Sequence, residues 1–178
     1  MGRLRTLCQA SWRGRPVSAL DCILAAFSPT LAPEPDEIPS NRQGRIVLEA
    51  RMVQSYFAGK SWRDITLEWL QAYPGDEKAC LQFMSFKSFC YYYPSFMTVC
   101  LIDETDKGEL LDRVVGFADD SARNHERFMY LKASYNKAQQ IAVGNFLCEV
   151  DNRFVRLQLG ERSPRSIYCD YWMTNASV

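Results

Sequence analysis

The intrinsically reactive groups of this chain are its thiols and one imidazole. There are seven cysteines, Cys8, Cys22, Cys80, Cys90, Cys100, Cys148 and Cys169, and a single histidine, His125. A thiolate activated by an imidazole is a nucleophile for acyl transfer. Cys90, Cys100 or Cys148 with His125 is therefore the covalent-catalysis reading that the composition permits. Against it, these cysteines sit among large apolar residues, where a thiol stays protonated and inert. One histidine excludes a His-rich metal centre and a two-histidine acid–base pair. No two cysteines have the spacing that closes a structural zinc site, so neither a metal nor a cofactor is expected.

Gly59-Lys60-Ser61 matches the end of a phosphate-binding loop, but that loop needs an earlier glycine where this chain has Gln54, and a strand where it has a helical pattern. The stretch "FAGKSWRDITLEWL" reads instead as a corner: Phe57 in the core, Gly59 in the left-handed region, Trp62 covering the bend, and Lys60 or Arg63 meeting acids. Acidic residues gather at Asp103, Glu104, Asp106, Glu109, Asp112, Asp119 and Asp120. Paired carboxylates at helix ends are not fixed across a cleft as glycoside hydrolysis requires. They fit a solvated face, or a docking surface for a basic partner. In the aromatic run Phe86 to Phe96, helical spacing assigns Phe86, Phe89, Tyr93 and Phe96 to the core, which leaves Tyr91 and Tyr92 as contact residues for a partner.

These residues must be carried by helices. Ser18 can cap a first helix with Leu20, Ile23, Leu24 and Phe27 on one face. The proline-rich "SPTLAPEPDEIPSNRQG" is an extended loop. Ile46, Ala50, Val53 and Phe57 step through a second helix that Gly59 ends. Ser61 with Asp64 is expected to cap a third. A long aromatic helix runs from Phe86 to Ile102, and Pro94 inside it should kink it or break it near Cys90 to Tyr93. "DKGELLDRVVGF" gives a short helix buried through Leu110, Leu111, Val114, Val115 and Phe117. His125 reads as an exposed helix-start residue, and a last helix from Ser134 carries the stripe Ala138, Ile141, Ala142, Val150, Phe154 and Leu157. Ser166 to Trp172 is either a strand or a tail packed on the body.

The reading is an all-α fold, an irregular single-domain bundle of about six helices with a kinked aromatic helix. Residues 1–17 form a poorly ordered basic leader, 18–160 the helical domain, and 161–178 a tail. Lysine plus arginine and aspartate plus glutamate both number 21, so no global field draws the chain to nucleic acid or an anionic membrane. No apolar run is long enough to span a bilayer, and buried reduced thiols suit a reducing, cytoplasmic setting. The leader's Arg3, Arg5, Arg13 and Arg15 have the composition of an organelle transit peptide.

Phe57, Gly59, Lys60, Trp62 and Arg63, followed by Phe89, Tyr91, Tyr92, Pro94 and Phe96, resemble the pattern of a family of small bacterial proteins known as a domain of unknown function. The similarity runs from about Ala19 to Val150, leaves the leader and the tail "RSPRSIYCDYWMTNASV" outside the pattern, and implies a mainly helical bacterial protein with no assigned activity. A bacterial source argues against a transit peptide. The function expected is a non-catalytic protein-binding module with one protein partner, in its sharpest form an immunity-type protein that neutralises a basic toxin domain. A cryptic thiol-dependent enzyme is one alternative. The other is a regulatory or nucleic-acid adaptor, which requires the basic segments Arg3 to Arg15 and Arg153 to Arg165 to converge.

Overall fold

The computed structural model describes residues 11–12, 15–16, 18–41, 46–102, 108–120, 124–153 and 163–173. Most of the leader therefore lies outside the described residues; within it, Ser11–Trp12 pairs antiparallel with Arg15–Pro16. The rest is mainly helical, in one compact body.

Helix α1 spans Ala19–Ala26 and opens with the expected cap: the Ser18 side chain accepts from the Asp21 backbone N–H, and the Asp21 carboxylate accepts in return. This reciprocal pairing satisfies donors that the first turn cannot use internally. Residues 28–41 have no α-helix, only a short 3-10 turn at Pro35–Glu37. The loop is tied down where Ser85 and Ser88 hydroxyls donate to the Glu37 carbonyl at 2.5 and 3.0 Å.

Helix α2 spans Leu48–Phe57 and buries Ala50, Val53 and Phe57. Gly59 follows at φ 73°, the left-handed turn that its missing Cβ permits. Ser61 then caps only a 3-10 turn, Trp62–Asp64, and α3, Leu67–Gln71, starts later on its own cap, Thr66. The expected third helix is thus split, because Thr66 offers a second hydroxyl at 3.2 Å from the Trp69 N–H and the backbone restarts there.

A single turn, α4 at Cys80–Phe83, leads into α5, Phe86–Ile102, whose limits match the sequence reading. The helix runs through Pro94 without a break. Proline cannot donate to the carbonyl four residues back, here that of Cys90. The buried Tyr135 hydroxyl donates to that carbonyl instead, at 2.8 Å. A side chain from outside the helix thereby supplies the missing bond.

Helix α6, Gly108–Phe117, buries the five apolar residues expected of it. Helix α7, His125–Ser134, does begin at His125, and α8 spans Lys137–Arg153. The stripe assigned to α8 is partly wrong: Ala142 and Val150 are buried, but Ala138 and Ile141 face solvent. Val143, Phe146 and Leu147 take their place in the core, so the buried face is rotated from the expected one. Phe154 and Leu157 lie outside the described residues.

Ser166 to Trp172 is not a strand. Pro164–Ile167 forms a turn of helix, α9, continued by a π-type turn over Tyr168–Trp172. This segment packs on α8 beside Gly144, where a Cβ would lie 3.0 Å from the Tyr168 ring. Trp172 is buried, and its indole N–H donates to the Ala118 carbonyl at 2.7 Å.

The proline bond yields a thermodynamic cycle. Tyr135→Phe should cost about 1–3 kcal/mol in urea unfolding, the penalty for an unsatisfied buried carbonyl. Pro94→Ala in the Tyr135→Phe background should recover part of that loss, because alanine's N–H restores the helical bond to Cys90. Independent effects of the two substitutions would show that they do not share this carbonyl. Gly59→Ala should lower stability by about 1–2 kcal/mol in the same assay, the strain of a Cβ at positive φ.

Candidate functional site

Most side chains that looked functional in the sequence serve the framework. In the corner, Phe57 and Trp62 are buried. Among the described residues Arg63 meets no acid: its guanidinium donates to the Leu24 carbonyl at 3.0 Å, at the end of α1, and lies 5.2 Å from the Trp62 ring centroid. Lys60 is exposed. Pro94 shapes the bond to Tyr135.

Tyr91 and Tyr92 are not surface contacts. They are 5% and 1% exposed. The Tyr92 hydroxyl donates to the Phe57 carbonyl at 2.8 Å, and the Trp62 N–H donates to the Tyr91 hydroxyl oxygen at 3.4 Å. The correction has a simple reason. A helix on the surface can bury one face, but α5 is central and is buried through every residue from Ser88 to Met97. Rings can therefore surround it and all remain in the core.

The acidic residues divide. Asp103, Glu104 and Asp106 lie outside the described residues. Glu109 and Asp112 are exposed on α6, but Glu109 accepts from Lys78 at 2.6 Å and Arg113 stands 3.9 Å from Asp76. Lys78 holds the Glu109 carboxyl below its ordinary range, first by hydrogen bonding and then by its charge. Asp119 is buried at the end of α6. Asp120 contacts His125 at 2.5 Å. On the described part of this face Glu109 and Asp120 therefore already have basic partners.

That contact also gives His125 a carboxylate partner. Burial pushes the Cys90 thiol up to about 12, despite a hydrogen bond with Ser134 and the nearby charge of Arg127. Cys80 is likewise pushed up to about 12, mainly by burial. Such thiols are almost wholly protonated at neutral pH and are poor nucleophiles. Cys100 and Cys148 are also buried. Among the described residues no group of three or more His, Cys, Asp or Glu side chains could hold a metal ion, and no helix is long and apolar enough to cross a membrane.

What the surface offers instead is an aromatic pair. Phe86, assigned to the core from sequence, is 38% exposed at the start of α5. Its ring stacks on Tyr130 of α7, also 38% exposed, with centroids 5.0 Å apart and planes 20° from parallel. Met129 beside it is 50% exposed. Beneath the pair, the buried Arg127 donates to the Gln82 and Met84 carbonyls at 2.6 and 2.9 Å. Its guanidinium lies 5.5 Å from the Phe86 centroid and 4.8 Å from that of Phe89. Lys87 next to Phe86 is neutralised by both carboxylate oxygens of Glu37, at 2.6 Å each.

A signal for this patch was present in the run Phe128-Met129-Tyr130-Leu131. Four consecutive apolar residues wrap around a helix and cannot share one face. Phe128 and Leu131 are buried, so Met129 and Tyr130 are turned outward.

Iodoacetamide should label the exposed Cys169 quickly in the folded protein, while Cys80 and Cys90 react only on unfolding. Rapid folded-state labelling of Cys90 would restore the nucleophile reading. The Glu109 carboxyl should titrate below an ordinary glutamate by NMR and move back up in Lys78→Met. Because its folded pKa is depressed, the small stabilisation from this contact is present above the ordinary glutamate range and disappears as pH falls through the folded value.

No curated protein and no solved structure matches this chain. A family model does match, over residues 42–176, and its description is a family of unknown function, DUF6714. The match includes the Phe57 to Arg63 corner, the aromatic helix and the Pro164–Trp172 segment, which the sequence reading had placed outside the family's pattern. Covering most of the chain, it establishes that this protein belongs to the DUF6714 family.

Proposed function

We propose that this protein is a non-catalytic protein-binding module whose contact surface centres on Phe86, Met129 and Tyr130. The stacked, half-exposed aromatic pair is the observation that carries this reading. Large aromatic side chains and methionine are enriched where proteins meet, since they bury much apolar area with few rotatable bonds. Here Phe86 is already braced against Arg127 and against Tyr130, which lowers the entropy lost on docking.

In its narrowest form the module is an immunity-type protein of the bacterial cytoplasm that occupies and neutralises one toxic partner. The exposed carboxylates of Asp112 and Glu126, which have no ion pair among the described residues, suit a basic partner at close range. The thiol-enzyme alternative draws no support from thiols as buried as Cys90 and Cys148. For the adaptor alternative, Arg153 is already engaged, donating to the Leu101 carbonyl at 2.9 Å and to Glu149 at 2.7 Å.

Affinity purification of the tagged full chain from its host should recover one stoichiometric protein. Tyr130→Ser or Met129→Ser should reduce that recovery by about tenfold or more, the effect of losing an interface hot spot, with unchanged circular dichroism. Undiminished recovery from both variants would place the contact surface elsewhere. Co-expression tests the narrow form: the wild-type chain should relieve the partner's toxicity and Tyr130→Ser should not.

A further inference from the structure

The chemistry of the Tyr130 surface specifies what kind of side chain it receives. Tyr130 is a half-exposed ring, stacked on Phe86. Glu126 lies four residues earlier on α7, a spacing that puts both side chains on one side of the helix. It is exposed, and among the described residues it has no ion pair. An electron-rich ring face next to a solvated carboxylate attracts a cation that is itself flat enough to stack. Lys87, beside Phe86, has its charge offset by Glu37, and Lys132 on the same helix donates to the Tyr171 carbonyl at 2.7 Å.

We propose that the Glu126–Tyr130 face of α7 is a receptor for an arginine side chain of the protein partner. The guanidinium lies against the Tyr130 ring and pairs with the Glu126 carboxylate. Arginine suits the site better than lysine, because a planar guanidinium stacks and donates to a carboxylate simultaneously. The protein makes a similar contact internally, where the Arg127 guanidinium lies 4.8 Å from the Phe89 centroid and 5.5 Å from that of Phe86. The inference rests on the protein-binding reading and adds the partner's chemistry to it.

The test is a backbone and side-chain NMR titration of the full chain with blocked arginine, N-acetyl-arginine methylamide, and with its uncharged isostere, blocked citrulline. Arginine should give saturable shifts centred on Glu126 and Tyr130. Citrulline should bind about two- to fivefold more weakly, and Glu126→Gln should weaken arginine by a similar factor. Tyr130→Leu, which keeps an apolar side chain, should abolish the localised shifts. Equal shifts from citrulline, an unchanged response in Tyr130→Leu, or no saturable arginine shift would each overturn the inference. Host purification separates this failure from failure of the binding reading. If Met129→Ser and Tyr130→Ser lose the partner while arginine produces no local shift, the interface stands and its arginine chemistry falls.

Discussion

Every helix end leaves carbonyls that the helix itself cannot satisfy, and in a mainly helical body those groups must find donors as they are buried. Here the donors come from distant side chains. Arg63 reaches the end of α1, Tyr92 the end of α2, Tyr93 the Val114 carbonyl near the end of α6, and Arg153 the Leu101 carbonyl near the end of α5. Tyr56 donates to Trp69 within α3, Trp172 to Ala118 just after α6, and Lys132 to Tyr171 in the C-terminal segment. Tyr135 serves the carbonyl freed by Pro94. Each bond fixes the angle between two elements as well as satisfying an acceptor, so helix placement and polar satisfaction are one problem with one solution.

This use of polar tips explains why a chain rich in tyrosine, tryptophan and arginine has corner and core motifs that resemble sites without reactive geometry. A phenol anchored on a carbonyl and surrounded by apolar residues is held in its neutral form; burial pushes Tyr92, Tyr93 and Tyr135 upward. The aromatic bodies meanwhile pack edge to face. Phe57 touches Trp69 and Tyr92 in this way, and Phe27 touches Tyr135. The same residue therefore supplies apolar area and a directional bond. Phe86 and Tyr130 differ because their shared stack lies at the boundary of the core, where part of each ring remains available.

The elements most legible from sequence were those with local signals. Ser18 before the Leu20, Ile23, Leu24 and Phe27 face marked α1, the four-residue step from Val53 to Phe57 followed by Gly59 marked the end of α2, and a continuous apolar run marked α5. Helix α7 was harder because its apolar residues are consecutive and show little sidedness. On α8 the local stripe pointed to Ala138 and Ile141, but neighbouring helices cover the face of Val143, Phe146 and Leu147. The candidate site was less legible still: Phe86 was assigned to the core, and Tyr91 and Tyr92 were set outside it. Helical spacing says which residues share a face, but it cannot say how many faces will be covered.

By itself the sequence determined a mainly helical protein with a glycine corner after Phe57, a proline inside its aromatic helix, and no cysteine spacing for a structural zinc site. These depend on local geometry: positive φ at Gly59, the missing N–H of Pro94, and short-range spacing. Only the tertiary structure decided that α5 is central, that Tyr135 completes the bond Pro94 removes, and that Phe86 and Tyr130 meet at the surface. Those outcomes join residues far apart in the chain, and exposure belongs to the assembled neighbours rather than to any one helix.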